Sequence, residues 1–123
     1  MLKTPDTNLL RKVGDGMQAM NLIAGKSAAA ISGERIDVAC PSDGAVFASI
    51  ARSGAADVDV AVRAARDAFE SGPWARMTAA ERGRFLFRLR ELVLEKVEHL
   101  ARIEAIDVGK PLKQARADAV ALA

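Results

Sequence analysis

Within nine residues, Ile103-Glu104-Ala105-Ile106-Asp107-Val108-Gly109-Lys110-Pro111, the chain holds a helix stop and a new helix start. Glycine ends helices because it takes the left-handed conformation without penalty, and proline opens them because its missing N–H would be unbonded in the first turn anyway. Gly109 and Pro111 therefore fix a sharp corner, with Asp107 on it. Upstream, Thr78-Ala79-Ala80-Glu81 has the form of a capping box. Phe85, Leu86, Leu89, Leu92, Val93, Val97, Leu100, Ile103 and Ile106 then fall on one apolar stripe, and the spacing predicts a single long helix over 79–107. Downstream, Leu112, Ala115, Ala119 and Leu122 begin a further apolar face, so 111–123 reads as the start of a helix with no stop signal, one whose continuation is missing.

The same logic places a helix over 56–71. Val58, Val62, Ala65 and Phe69 recur at helical spacing, Asp57 and Asp59 sit where the N-terminal dipole favours acids, and Gly72-Pro73 ends the run. Residues 20–51 change to strands and turns. Met20-Asn21-Leu22-Ile23-Ala24 is a short apolar run closed by Gly25-Lys26, and Arg35-Ile36-Asp37-Val38-Ala39 faces Ala45-Val46-Phe47-Ala48-Ser49-Ile50-Ala51 across Pro41-Ser42-Asp43-Gly44. The Pro, Asp and Gly of that bridge favour a turn, which predicts an antiparallel hairpin. Residues 1–19 carry no sustained periodicity and read as a flexible or weakly helical arm. The chain alone thus reads as a β-hairpin region followed by antiparallel α-helices, with 20–123 as one incomplete unit.

Composition excludes several functions. With 18 basic and 16 acidic residues the net charge is only +2, and no row of aromatics is available for base stacking, so no nucleic-acid partner is expected. No apolar stretch approaches the roughly 20 residues of a membrane span. Met1-Leu2-Lys3-Thr4-Pro5-Asp6 lacks the apolar run of a signal peptide, so the expected location is cytoplasmic, away from membranes. One cysteine, Cys40, and one histidine, His99, cannot supply the four ligands of a structural zinc site. Alanine is abundant and large aromatics are few, so the core is thin unless the apolar faces meet something else.

Two motifs mislead. Gly14-Asp15-Gly16-Met17-Gln18-Ala19 matches G-x-G-x-x-A, but Leu9-Leu10-Arg11-Lys12-Val13 is a poor buried strand and Gly25 would end the required helix too soon. Gly25-Lys26-Ser27 imitates the end of a phosphate-binding loop, but Met20 stands where its first glycine belongs. Cys40 precedes Pro41 at a strand end with no base nearby in sequence, which favours packing over nucleophilic catalysis. His99 and the glutamates Glu81, Glu91, Glu95, Glu98 and Glu104 read as a solvated helical face. Asp107 is the better candidate, either as a helix-end carboxylate bonded to nearby backbone donors or as one oxygen of a hard-cation site shared with backbone carbonyls.

These pieces, in this order, resemble the aldehyde dehydrogenase superfamily, over roughly the first quarter of its chain and from about Leu22 to the last residue. Glu104, Asp107, Gly109, Lys110 and Pro111 match its E-x-x-D-x-G-K-P signature. Leu22-Ile23-Ala24-Gly25 is similar to its opening strand, and Cys40-Pro41-Ser42-Asp43-Gly44 to its N-P-[SA]-[TD]-G turn, with Cys40 in place of the asparagine. Asp57-Val58-Asp59, Ala61-Val62, Ala64-Ala65-Arg66 and Ala68-Phe69 resemble its first-helix motif D-V-D-x-A-V-x-A-A-R-x-A-F, and Trp74, Arg82 and Leu89 match positions in the next segment.

The resemblance implies an α/β fold, the N-terminal part of a NAD-binding domain. It implies NAD or NADP and an aldehyde substrate for the full-length enzyme, and a homo-oligomer when complete. It implies a potassium or sodium ion held by the backbone carbonyls of Val38 and Ala39 and the carboxylate of Asp107. In the family's mechanism a thiolate attacks the aldehyde, an asparagine amide supports the oxyanion, hydride passes to NAD(P), and a glutamate-activated water releases the acid. The motifs that carry those groups, P-W-N-x-P, G-S-T-x-x-G, E-L-G-G-K and G-Q-x-C, do not occur in this sequence. No catalytic or cofactor-binding residue is therefore assigned, no cofactor is expected on this chain alone, and the isolated chain is expected to be inactive. The alternatives are a non-enzymatic helical interaction module derived from such an enzyme and, more remotely, a nucleic-acid binder using the arginines near the start of the long helix.

Overall fold

The computed structural model describes residues 16–123. Strands Met17–Ala19 (β1), Asn21–Ile23 (β2), Lys26–Ala28 (β3), Arg35–Ala39 (β4) and Val46–Ala51 (β5) precede helices Ala55–Ser71 (α1), Ala79–Glu95 (α2), Val97–Val108 (α3) and Leu112–Ala121 (α4). A single tight turn of helix, Pro73–Arg76, links α1 to α2.

The hairpin expected from the Pro41–Gly44 turn is present: β4 and β5 are antiparallel, with Val38 opposite Ala48 and a bulge between Val38 and Ala39. β1 adds in parallel to the other edge of β5, giving the order β1-β5-β4. The arm reading of 1–19 is therefore corrected for 17–19, while residues 1–15 lie outside the described residues. Arg35 explains why so short a strand is held. From β4 its guanidinium reaches across β5, donating from Nε to Ser49 Oγ (2.8 Å) and from Nη2 to the carbonyls of Ser49 (2.8 Å) and Ala19 (3.1 Å). Periodicity could not reveal β1, because three residues make no pattern and a parallel partner leaves no turn signal.

β2 and β3 form a separate hairpin through the two-residue turn Ala24-Gly25, whose φ angles of 50° and 74° are both positive. Two-residue hairpins use this mirror-image turn because its twist matches that of the strands.

Helix α1 begins within one residue of expectation, but its apolar stripe is not covered. Val58 and Val62 are exposed and Phe69 is 79% exposed, whereas the one buried residue of α1 is Asp57. The capping box at Thr78 forms as read: Thr78 N–H donates to Glu81 Oε2 (2.8 Å) and Glu81 N–H to Thr78 Oγ1 (3.3 Å). The long helix over 79–107 does not. It breaks at Lys96, where φ is −112° and ψ is 12° and the N–H bonds to the carbonyl of Val93 rather than of Leu92. The stripe is blind to this break, since Val93 and Val97 keep helical spacing on either side of it.

The core lies between the sheet and α3. Cys40, Phe47, Ala48 and Ile106 are buried together with Val38 against them, and Ala101, Ala105 and Ala115 form a second cluster covered by Leu112. Alanines at that α3–α4 contact allow the backbones to approach closely.

Candidate functional site

The end of α3 meets the β4–β5 turn at the site that the sequence singles out. Gly109 has φ 72° and donates its N–H to the Ala105 carbonyl at 3.1 Å, closing the helix in the left-handed cap. It also sits hard against the turn: a Cβ on Gly109 would lie 2.9 Å from Pro41 Cγ. Immediately before it, Ile106 is 2% exposed and packed with Cys40 and Phe47. Val38 packs against the same cluster, while Ala39 and Asp107 are the sequence neighbours of two of its residues, Cys40 and Ile106. Val38 is half-buried, and Ala39 and Asp107 are exposed.

Cys40 is buried in the core, and its main chain closes the turn, its N–H donating to Ala45 O (2.9 Å) and its carbonyl accepting from Gly44 N–H (2.8 Å). Asp43 Oδ1 accepts from Ala45 N–H at 3.0 Å. The turn thus closes with a cysteine where the resembled motif has asparagine, and the thiol lies in the core against Phe47 and Ile106. No cluster of three or more His, Cys, Asp or Glu side chains able to hold a metal occurs among the described residues.

A second feature of the corner escaped the sequence reading. The Lys110 amine donates to Glu104 Oε1 (2.5 Å) and to Asp118 Oδ2 (2.8 Å), clasping α3 to α4. Glu104 and Lys110 are themselves members of the E-x-x-D-x-G-K-P pattern, which is the signal that could have linked them. One turn of contacts further along, Arg116 forks onto both oxygens of Glu98, with Nη2 to Oε2 at 2.9 Å.

These bonds shift the titrations. Asp118 first and Glu104 second hold the Lys110 amine above its ordinary value, the Arg116 guanidinium holds Glu98 below the usual carboxylate range, and the Thr78 backbone N–H and hydroxyl do the same for Glu81. A lowered carboxylate contributes stability that is present above its ordinary value of 4.5 and is lost as pH falls through the folded value. A raised lysine contributes below 10.5 and loses that contribution as pH climbs through the folded value. Thermal melts from pH 7 to pH 2.5 are therefore expected to show Glu98→Gln melting below the parent at neutral pH, with the gap closing as pH falls below 4.5. Because both partners are largely exposed, the gap shrinks in high salt.

A strand frame backed by helices, with a glycine-capped corner locked onto a β-turn, is the opening portion of a mixed α/β domain. The chain belongs to the aldehyde dehydrogenase family, whose model matches residues 28–123. It is 47% identical over 87 residues to mitochondrial 10-formyltetrahydrofolate dehydrogenase of Homo sapiens, covering 71% of this chain and 9% of that protein. It is 43% identical over 88 residues to aldehyde dehydrogenase family 2 member C4 of Arabidopsis thaliana, covering 72% and 18%. The NAD-dependent aldehyde dehydrogenase of Sinorhizobium meliloti superposes with a TM-score of 0.85 at 39% identity over 96% of this chain and 23% of that one. Betaine aldehyde dehydrogenase of Staphylococcus aureus, solved with NAD+, gives 0.85 at 28% identity over 91% and 22%. The chain spans less than a quarter of the length of each of these proteins. No helix among the described residues is long and apolar enough to cross a membrane.

Proposed function

We propose that this chain is the N-terminal portion of an NAD(P)-dependent aldehyde dehydrogenase that oxidises an aldehyde to a carboxylic acid, and that it supplies scaffold to the cofactor domain rather than a reacting group. The observation that carries the reading is its near-complete superposition on the Sinorhizobium meliloti enzyme. A chimera tests it: this chain replaces the matching segment of that enzyme. NAD-dependent aldehyde oxidation is expected to persist, and a folded chimera without it would defeat the reading. The isolated chain is expected to turn over no aldehyde. Its setting in this proposal is a cytoplasmic homo-oligomer, apart from membranes and nucleic acid.

The corner is proposed to hold a monovalent cation, potassium or sodium, between the carbonyls of Val38 and Ala39 and the Asp107 carboxylate. The donor set supports this, being entirely hard oxygen, and so does the locking of Gly109 onto Pro41, which keeps strand end and helix end together. A bound cation would neutralise Asp107 and tie β4 to α3. The expected result is that potassium or sodium chloride raises the melting temperature above that in equal N-methylglucamine chloride, and that Asp107→Ala abolishes the difference. An ion-specific gain that persists in Asp107→Ala would refute the site.

A further inference from the structure

The turn that joins β4 to β5 carries Asp43 directly before Gly44, and both are exposed. Of all aspartyl pairs, Asp-Gly is the one in which the chain most readily attacks itself, because glycine has no side chain to shield its nitrogen or to restrict its backbone. In that reaction the Gly44 nitrogen bonds to Asp43 Cγ, the carboxyl hydroxyl leaves with the amide proton as water, and a five-membered succinimide results. Water then reopens the ring. Attack at the side-chain carbonyl restores aspartate, whereas attack at the main-chain carbonyl leaves an isoaspartyl link, in which the backbone runs through Cβ and Cγ.

Both reacting groups are held in the folded turn. The Gly44 N–H donates to the Cys40 carbonyl at 2.8 Å, and Asp43 Oδ1 accepts from the Ala45 N–H at 3.0 Å. While the first bond stands the nitrogen cannot give up its proton and present itself to Cγ, and while the second stands the carboxyl group cannot swing onto the ring-closing path. Opening the turn is therefore the first step, and its cost sets the rate. What keeps the turn shut lies outside it. Gly109, at the end of α3, is so near that a Cβ on it would lie 2.9 Å from Pro41 Cγ and 3.7 Å from Ser42 Oγ. Cys40, whose carbonyl holds the Gly44 amide, is 3% exposed and packed with Ile106 of the same helix.

We propose that Asp43-Gly44 is an isoaspartate-forming site, kept latent by the packing of the α3 cap on the Pro41 turn. The reaction needs only water, so the site requires no partner and does not depend on the enzyme assignment. Conversion lengthens the main chain by one carbon within a turn whose pairing is set residue by residue. It also moves the carboxylate from the side chain to Cα, so the Oδ1 bond to Ala45 is lost. The β4–β5 hairpin and the contact of Gly109 with Pro41 both loosen in the converted chain, and the change is covalent and lasting.

The test ages the 123-residue chain in mildly acidic buffer, where part of the carboxyl is in the neutral form that loses water. Isoaspartate is read by electron-transfer mass spectrometry on the tryptic peptide Ile36–Arg52, which separates the site from the other Asp-Gly pair, Asp15-Gly16. A synthetic peptide of the same residues, aged alongside, gives the rate of the open turn. The folded chain is expected to convert at least about tenfold more slowly than the peptide, as a modest local opening equilibrium dictates. Gly109→Ala forces cap and turn apart, and Pro41→Ala, measured against a peptide with the same change, removes the ring on which the cap packs. Each should speed conversion in the folded chain at least about threefold, whereas Glu98→Gln, which weakens α3 against α4 away from the turn, should leave it within about twofold. Circular dichroism checks the fold of each variant, and Pro41→Ala decides the matter where Gly109→Ala does not fold. Equal rates in folded chain and peptide overturn the proposal. So does a rate unchanged from the parent in both turn variants, or an absence of isoaspartate at Asp43 in both.

Discussion

Asp57→Ala is expected to lower the stability of the chain by about 3 kcal/mol in urea denaturation, the cost of stranding two hydrogen-bond donors beside a lost carboxylate. Asp57 is only 6% exposed, and its two oxygens serve two separate pieces of backbone. Oδ1 accepts from Ile31 N–H at 2.8 Å and Oδ2 from Gly54 N–H at 2.9 Å. The second bond caps α1 from within its first turn, and the first ties the loop between β3 and β4 to the same point. Asp57→Asn keeps one acceptor oxygen and should lose about half as much. Asp59, also in the first turn but exposed, is the control: Asp59→Ala should change stability by no more than about 0.5 kcal/mol. Equal losses at 57 and 59 would mean that only the helix dipole matters and that the tie to Ile31 contributes nothing.

Ile106→Ala is expected to cost as much or more, about 3 to 4 kcal/mol, because the side chain is removed from a closed environment that cannot collapse around the void. Ile106 is the largest fully buried side chain of the described residues and touches the turn residue Cys40 and the strand residue Phe47. Its loss loosens α3 from the β4–β5 hairpin, so the ion-specific rise in melting temperature proposed for the corner should weaken in the same variant, although no oxygen donor has been altered. Ile106→Val removes one methylene and should cost about 1 kcal/mol. A small loss for Ile106→Ala would show that α3 is held by its ion pairs with α4 rather than by the core.

The features legible in the chain are those whose signals lie within a few residues of one another. Gly109 and Pro111 mark the corner, Thr78 and Glu81 the helix start, and Pro41 to Gly44 the hairpin turn, because each acts through local backbone preference. Bonds between distant segments leave no such mark. The first-turn aspartates of α1 read alike, yet only Asp57 is buried, and its partner Ile31 is 26 positions away. The break at Lys96 was hidden because no proline or glycine announces it and the stripe runs on across it. The exposed faces of α1 and α2 were readable as apolar, but pattern alone does not say whether a face is covered by the same chain.

Of the candidate site, the grouping of Val38, Ala39 and Asp107 is proposed on motif resemblance, not on spacing. What the resemblance could not convey was the clasp of Lys110 on Glu104 and Asp118, since Asp118 lies beyond the signature.

The reach of Arg35 across β5 also dictates an order of assembly. The β4–β5 hairpin closes a short loop and forms early, while joining β1 to β5 requires a much longer closure and gains only three paired residues. The guanidinium, already fixed by Ser49 on the finished hairpin, then offers Ala19 a prepared donor. Pulse-labelled hydrogen exchange should accordingly find the amides of 17–19 protected after those of 46–51. The strand that leads the described residues is the last to take its place.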